Sequence, residues 1–219
     1  MPESAEEKEA RNIATAAGTA LILALYAGNV SRRGNVFFIG ARRITGREMR
    51  RNLARLETVT GRRLTRLTDD LLANRITLSQ WRTSFKAIIG GHHLLTGAMA
   101  SGSLAKARIT DRVAKRVAAE QAYADRFADE IEAGRAGTDA RIKSRAKSYV
   151  MAASTTFFIV EQSAQALFGA GEAMRVLDPT SESCAGCLEY EGEWMPIDEM
   201  PELGSLDCGS RCRCYLEYR

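Results

Sequence analysis

Residues 45–71 read TGREMRRNLARLETVTGRRLTRLTDDL, and this stretch decides the fold. Leu53, Leu56, Thr60, Leu64, Leu67 and Leu71 recur at steps of three or four, the spacing that returns side chains to one face of a helix. Thr45-Gly46-Arg47-Glu48 is a capping-box pattern, in which threonine and glutamate satisfy each other's backbone N–H groups at a helix start. One long helix is predicted straight through Gly61, with a stop at Asn74-Arg75.

The same spacing continues on the C-terminal side. Ser79 is expected to cap a helix with the stripe Trp81, Phe85, Ile88, His92, Leu95 and Met99. That stripe crosses Gly90-Gly91, and glycine inside a helix costs about 1 kcal/mol relative to alanine. Close approach of another helix would offset the cost. Ser101-Gly102-Ser103 reads as a loop or kink, and Thr110-Asp111 as the next cap, followed by Ile109, Val113, Val117, Ala124, Phe127 and Ile131 as a buried side. Gly134 to Gly137 breaks this helix. Thr138-Asp139 starts the last one, with Ile142, Ala146, Tyr149, Ala153, Thr156, Val160, Ala164 and Leu167 inward and a stop at Gly169 to Gly171.

On the N-terminal side, Ser4-Ala5-Glu6-Glu7 is another capping box, predicting a helix over residues 5–27 that ends at Gly28-Asn29. Arg32-Arg33-Gly34-Asn35 reads as a turn into Val36-Phe37-Phe38-Ile39, a strand or a docking segment. Three of the four prolines lie at Pro179, Pro196 and Pro201, so the body of the chain is nearly free of helix breakers. The expected class is mainly α: an elongated bundle of five helices of 20 residues or more over residues 1–172. Residues 173–219 follow as a small β-type, zinc-knuckle-like module, with strands expected at 174–177 and 213–218.

All five cysteines lie in that tail, as Cys184-x2-Cys187 and, 20 residues on, Cys208-x3-Cys212-x-Cys214. Two pairs of thiols on short turns, separated by about 20 residues, have the ligand spacing of a structural zinc site. Cys184, Cys187, Cys208 and Cys212 are the candidate ligands, with Cys214 as the alternate to Cys212. Tyr190, Trp194, Met195 and Ile197 between the pairs make a core too small to fold unaided, and metal binding would supply the difference. Arg211 and Arg213 would offset the negative charge of the thiolates. A disulfide set and free thiols are the rival readings; the odd count and the acidic first ten residues, unlike a secretion signal, argue against disulfides.

Charge is unevenly spread. Residues 31–66 hold eleven arginines and two acids, whereas residues 178–207 hold nine acids and no Lys or Arg. Arg47, Arg50, Arg51, Arg55, Arg62, Arg63 and Arg66 fall mostly off the apolar stripe, so the first is a face for nucleic-acid phosphates or for an acidic partner. Residues 13–30 are uncharged but rich in Ala, Gly and Thr, and read as a buried helix in preference to a membrane span. No phosphate loop, HExxH or Gly-x-Ser-x-Gly elbow occurs, and a four-cysteine zinc site has no open position for substrate, so no enzyme is expected. His92 and His93 are the only histidines, and His92 on the apolar stripe reads as a core residue.

Cys184-Ala-Gly-Cys187, Gly192, the segment Met200-Pro201-Glu202-Leu203-Gly204, and Cys212-Arg213-Cys214 together resemble the C-terminal signature of phage minor head proteins, the Mu F-like head-morphogenesis family. The likeness covers residues 177–215. Where that family commonly carries His shortly before Cys-Arg-Cys, this chain has Cys208, one residue further away. Upstream, the Ala-rich helices, the Gly90-Gly91 pair and residues 123–131 are more weakly similar to the helical part of related phage proteins. The resemblance implies a structural protein of a bacteriophage virion, a minor head or head–tail junction component acting in head morphogenesis and assembled in the host cytoplasm. Its partners would be capsid or portal and neck proteins and further copies of itself, with non-specific contact to packaged DNA. The alternative expectation, from the arginines, is a DNA-binding accessory protein for packaging or ejection.

Overall fold

The computed structural model describes residues 30–33, 36–39, 42–101, 107–179, 181–209 and 212–219. The predicted helix over residues 5–27 and the uncharged run up to residue 29 lie outside the described residues, as does the expected kink at 102–103.

Four long helices form where the apolar period runs: α1 (Gly46–Leu72), α2 (Leu78–Ser101), α3 (Ala107–Glu132) and α4 (Asp139–Leu167). The capping box at the head of α1 is closed in both directions, Thr45 N donating to Glu48 Oε2 at 2.8 Å and Glu48 N to Thr45 Oγ1 at 3.2 Å. Asn74, with φ 55°, turns the chain after α1. The next cap is Thr77 and not Ser79: Gln80 N donates to Thr77 Oγ1 and Thr77 N to Gln80 Oε1, a second box with Gln in the acidic position. α3 begins at Ala107, three residues before the predicted Thr110 cap. Short connections make sequence neighbours pack side by side, and α2 packs against α1, α3 and α4, so the four close into a bundle.

The interior has two apolar clusters. One gathers Leu64, Trp81, Phe85, Phe127, Ala146 and Tyr149, with Trp81 stacked on Phe85 at 4.4 Å and edge-on to Phe127. The Trp81 indole N–H donates to Thr68 Oγ1, so the ring is buried without an orphaned donor. The other gathers Met49, Leu53, Leu56, Leu95, Met99, Val113 and Phe157. Between them lie Thr60 of α1, His92 and His93 of α2 and Thr156 of α4, all buried. His92 Nδ1 is 3.1 Å from Thr60 Oγ1, and His93 Nδ1 is 2.7 Å from Thr156 Oγ1. This polar layer separates the two clusters. The predicted stripes are buried almost throughout; Leu167, expected inward, is exposed at the end of α4, and the Ile109 side chain lies outside the described residues.

The predicted close helix approach is present at Gly90, where an added Cβ would stand 3.3 Å from Gln121 Nε2 and 3.5 Å from Val117 Cγ1 of α3, and it is tighter about two turns further on. At Gly97 an added Cβ would stand 2.6 Å from Val113 Cγ2 of α3, whereas Gly91 has open space.

Two small sheets flank the bundle. β1 (Val30–Arg33), β2 (Val36–Ile39) and β3 (Arg42–Ile44) form an antiparallel meander, with Arg33 opposite Val36 and Phe37 opposite Ile44. The apolar run 36–39 is thus the central strand, and Phe37 reaches the core against Phe157. In the tail, β4 (Glu172–Val176) lies between β5 (Trp194–Pro196) and β6 (Tyr215–Tyr218), all antiparallel. No helix among the described residues is long and apolar enough to cross a membrane.

Candidate metal centre

The tail has its own core of Ala173, Cys187, Ile197, Met200, Leu203, Cys214 and Leu216, with Tyr190 and Met195 partly buried around it. It is fixed to α4. The Gln162 side-chain amide donates to the carbonyls of Ile197 and Met200, both at 2.9 Å, and Arg112 of α3 bonds Ser163 and Glu202. Gly204, at φ +84°, presses so closely on Thr155 that an added Cβ would stand 2.2 Å from its Cγ2.

Local turns place the thiols. Cys184 is the N-cap of a short helix, α5 (Ala185–Glu189), and its carbonyl accepts from Cys187 N and Leu188 N. That turn brings the first pair of sulfurs to one side. Leu206 O accepts from Gly209 N and Gly209 O from Cys212 N, folding the second group back toward the first. Cys214 leads directly into β6.

The result is a cluster around Cys187, which is 1% exposed. Its sulfur is 3.5 Å from that of Cys208 and 3.9 Å from that of Cys212. Cys184, Cys187 and Cys208 form one group whose sulfurs all lie within 4.8 Å of one another, and Cys187, Cys212 and Cys214 form another. Cys187 belongs to both. All five cysteines are free thiols. Cys208 and Cys212, the expected second pair, interact through their thiols, and both also approach Cys187, which makes Cys187 the hub; Cys214 joins it with Cys212.

Arg175 stands against this hub. Its side chain is fully buried, Nη1 donates to Cys187 Sγ at 3.4 Å and Nη2 to the carbonyl of Pro201 at 2.7 Å, with the Tyr190 ring beyond. No carboxylate pairs with it among the described residues. An unpaired buried guanidinium costs several kcal/mol, and the sulfurs are the groups at hand to carry the compensating negative charge. Of the cations expected in this part, Arg213 is exposed and Arg211 lies outside the described residues. The signal was present in the strand alternation, which turns Ala173 and Arg175 to the same inward face of β4.

The thiols differ in acidity. Burial pushes Cys187 and Cys208 up, and Cys214 up to about 12. Burial also opposes ionisation of Cys184, but hydrogen bonds from Cys187 and Cys208 outweigh it and bring Cys184 down to about 7. Cys212 is lowered in the same way, burial being outweighed by the backbone N–H of Cys214 and by neighbouring thiols. A donor set of converging soft thiols with a buried cation behind it fits a thiophilic cation such as zinc.

The other predicted residues lie away from the thiols. Arg51, Arg55, Arg62 and Arg66 are exposed on α1, and Arg63 is half-buried, its pKa lowered by burial. The side chains of Arg47 and Arg50 lie outside the described residues. Most acids of residues 178–207 are solvent-exposed on the tail module. Comparison with known proteins gives no match of any kind: no family model, no curated protein and no solved structure.

Proposed function

We propose that this chain is a structural, non-catalytic protein of a bacteriophage virion, a minor head or head–tail junction component whose C-terminal module is held by zinc. The observation that carries the metal part is the convergence of thiols on Cys187 with the buried Arg175 behind them. Cys184, Cys187 and Cys208 would hold the ion together with Cys212 or Cys214. Zinc there would cross-link the two ends of a module whose own core is small, and the protein's residues would do the rest: Arg175 balances charge, and Gln162 and Arg112 fix the module to the bundle.

The virion part rests on the C-terminal Cys-x2-Cys…Cys-Arg-Cys pattern and its resemblance to minor head proteins. A rigid module docked on a helical bundle suits a part that mates with portal or capsid subunits. Mass spectrometry of purified particles tests this reading, which requires the chain to be present at a fixed copy number; particles that lack it sink the virion assignment. Elemental analysis tests the metal separately. About one zinc per chain is expected, lost on Cys187→Ser, and unchanged metal content in that variant rules out the site.

A further inference from the structure

We infer that the solvent face of α1 is a binding ridge for duplex nucleic acid, contacting the phosphate backbone without reading bases. At 100° per residue, Arg51, Arg55, Arg62 and Arg66 fall within an arc of about 60°, and their positions span roughly 22 Å along the axis. All four are exposed, and none forms an ion pair among the described residues. The buried stripe Leu53, Leu56, Thr60 and Leu64 holds the opposite face against the bundle, so the ridge is presented by a fixed rod.

Among the described residues the ridge is unneutralised because every acid on the helix is engaged elsewhere. Glu48 closes the cap with Thr45, Glu57 accepts from Ser154 of α4, Asp69 pairs with Lys143 at 2.6 Å and Asp70 with Arg75 at 2.6 Å. Lys147 of α4, exposed and without an ion pair among the described residues, lays its stem over Gly61 and adds charge at the flank.

The chemistry of the ridge selects the partner. Between the arginines it offers only Thr58 and Val59, and Thr58 Oγ1 is spent on the carbonyl of Ala54. There is no aromatic to stack an unpaired base, and the one nearby amide, Asn52, is half-buried at the edge of the ridge. An acidic protein partner would want apolar anchoring beside the charges, and Val59 is the single exposed large apolar side chain on α1. A regular row of charges about two-thirds of a helical turn of DNA long suits phosphates. The inference stands independently of the virion reading, since it needs only the folded chain.

The test is binding of the full zinc-loaded chain to two fluorescent 30-base-pair DNA duplexes of unrelated sequence, between about 50 and 200 mM salt. Four phosphate contacts give a slope of log K against log salt of about −3.6, a loss of roughly 150-fold over that range. The two duplexes should bind alike. R51Q/R55Q/R62Q/R66Q should reduce the slope to near zero while leaving zinc content and thermal midpoint unchanged; R135Q/R141Q, exposed elsewhere, should bind as the parent does. The inference is overturned by a slope flatter than −1, by undiminished binding in the quadruple variant, or by polyglutamate binding as tightly as the duplex, which would make the ridge an acidic-protein surface.

Discussion

The guanidinium of Arg175 lies 3.4 Å from the sulfur of Cys187, inside the tail module and out of reach of water. A cation so placed must be balanced locally, and the second hydrogen bond, to Pro201 O, brings only a dipole. The relationship ties the folding of the module to the charge on its thiols.

Arg175→Met keeps the volume and removes the charge and both hydrogen bonds. It is expected to weaken zinc retention and to destabilise the module by about 3–5 kcal/mol, the cost of leaving one member of a buried charged pair alone. Arg175→Lys should not restore it, because an ammonium has no planar fork to reach sulfur and carbonyl together. Competition with a chelator, read by zinc release and by the fluorescence of Trp194 in β5, gives the ranking.

Two glycines of α2 should respond in opposite directions. Gly97→Ala meets Val113 Cγ2 at 2.6 Å and is expected to cost about 1–3 kcal/mol by forcing α2 and α3 apart. Gly91→Ala meets nothing within 4 Å and should stabilise by about 0.5–1 kcal/mol through helix propensity. Thermal unfolding of the two variants decides it; equal shifts would mean the helix approach is not at Gly97.

Acidification should destabilise the bundle well above the usual carboxylate range. Burial lowers His92 to about 4 and His93 to about 3, the latter helped by neighbouring His92 and Arg116. The unfolded chain takes up protons below about 6.5 that the folded chain refuses, so stability is full above that pH and falls as pH drops toward 4. Two such groups lose up to about 2.7 kcal/mol per pH unit in that window. Glu120, raised by burial, acts with the opposite sign. The thermal midpoint between pH 7 and 4.5 measures this, and H92Q/H93Q should flatten the profile.

Gly204→Ala should loosen the tail and spare the helices. Its positive φ disfavours any side chain, and the Cβ would stand 2.2 Å from Thr155 Cγ2. Limited proteolysis is expected to cut within residues 173–219 first, leaving a fragment that keeps its helical circular dichroism.

The helices were legible because burial has a period: the leucines of α1 and the Trp81–Met99 series of α2 lie where steps of three and four place them. The cap at Thr77 was missed because Ser79 also suits a cap, and only the reach of Gln80 decides between them. The sheet of β1 to β3 was half visible: Val36-Phe37-Phe38-Ile39 is apolar, but its partners Arg32 and Arg43 look like charged loop. The cysteine spacing foretold a cluster, not its centre. Which thiol becomes the hub depends on how Cys208 and Cys212 are brought back to Cys187, and that is a long-range contact no spacing encodes. Strand alternation marks Arg175 as an inward position of β4, but its partner Cys187, 12 residues on, is set by the same folding of the tail and no spacing points to it.

The histidine–threonine layer also gives the bundle a ruler. Leucine against leucine is satisfied at several offsets, so an all-apolar interior would let one helix slip a turn along another at small cost. Thr60 and Thr156 each meet a single imidazole at hydrogen-bonding distance, on two different neighbours of α2. A shift of one turn would strand both rings in hydrocarbon at once. The pair therefore sets the longitudinal alignment of α1 and α4 on α2, and with it the height at which α4 presents Gln162 to the tail and α1 presents its arginines to solvent.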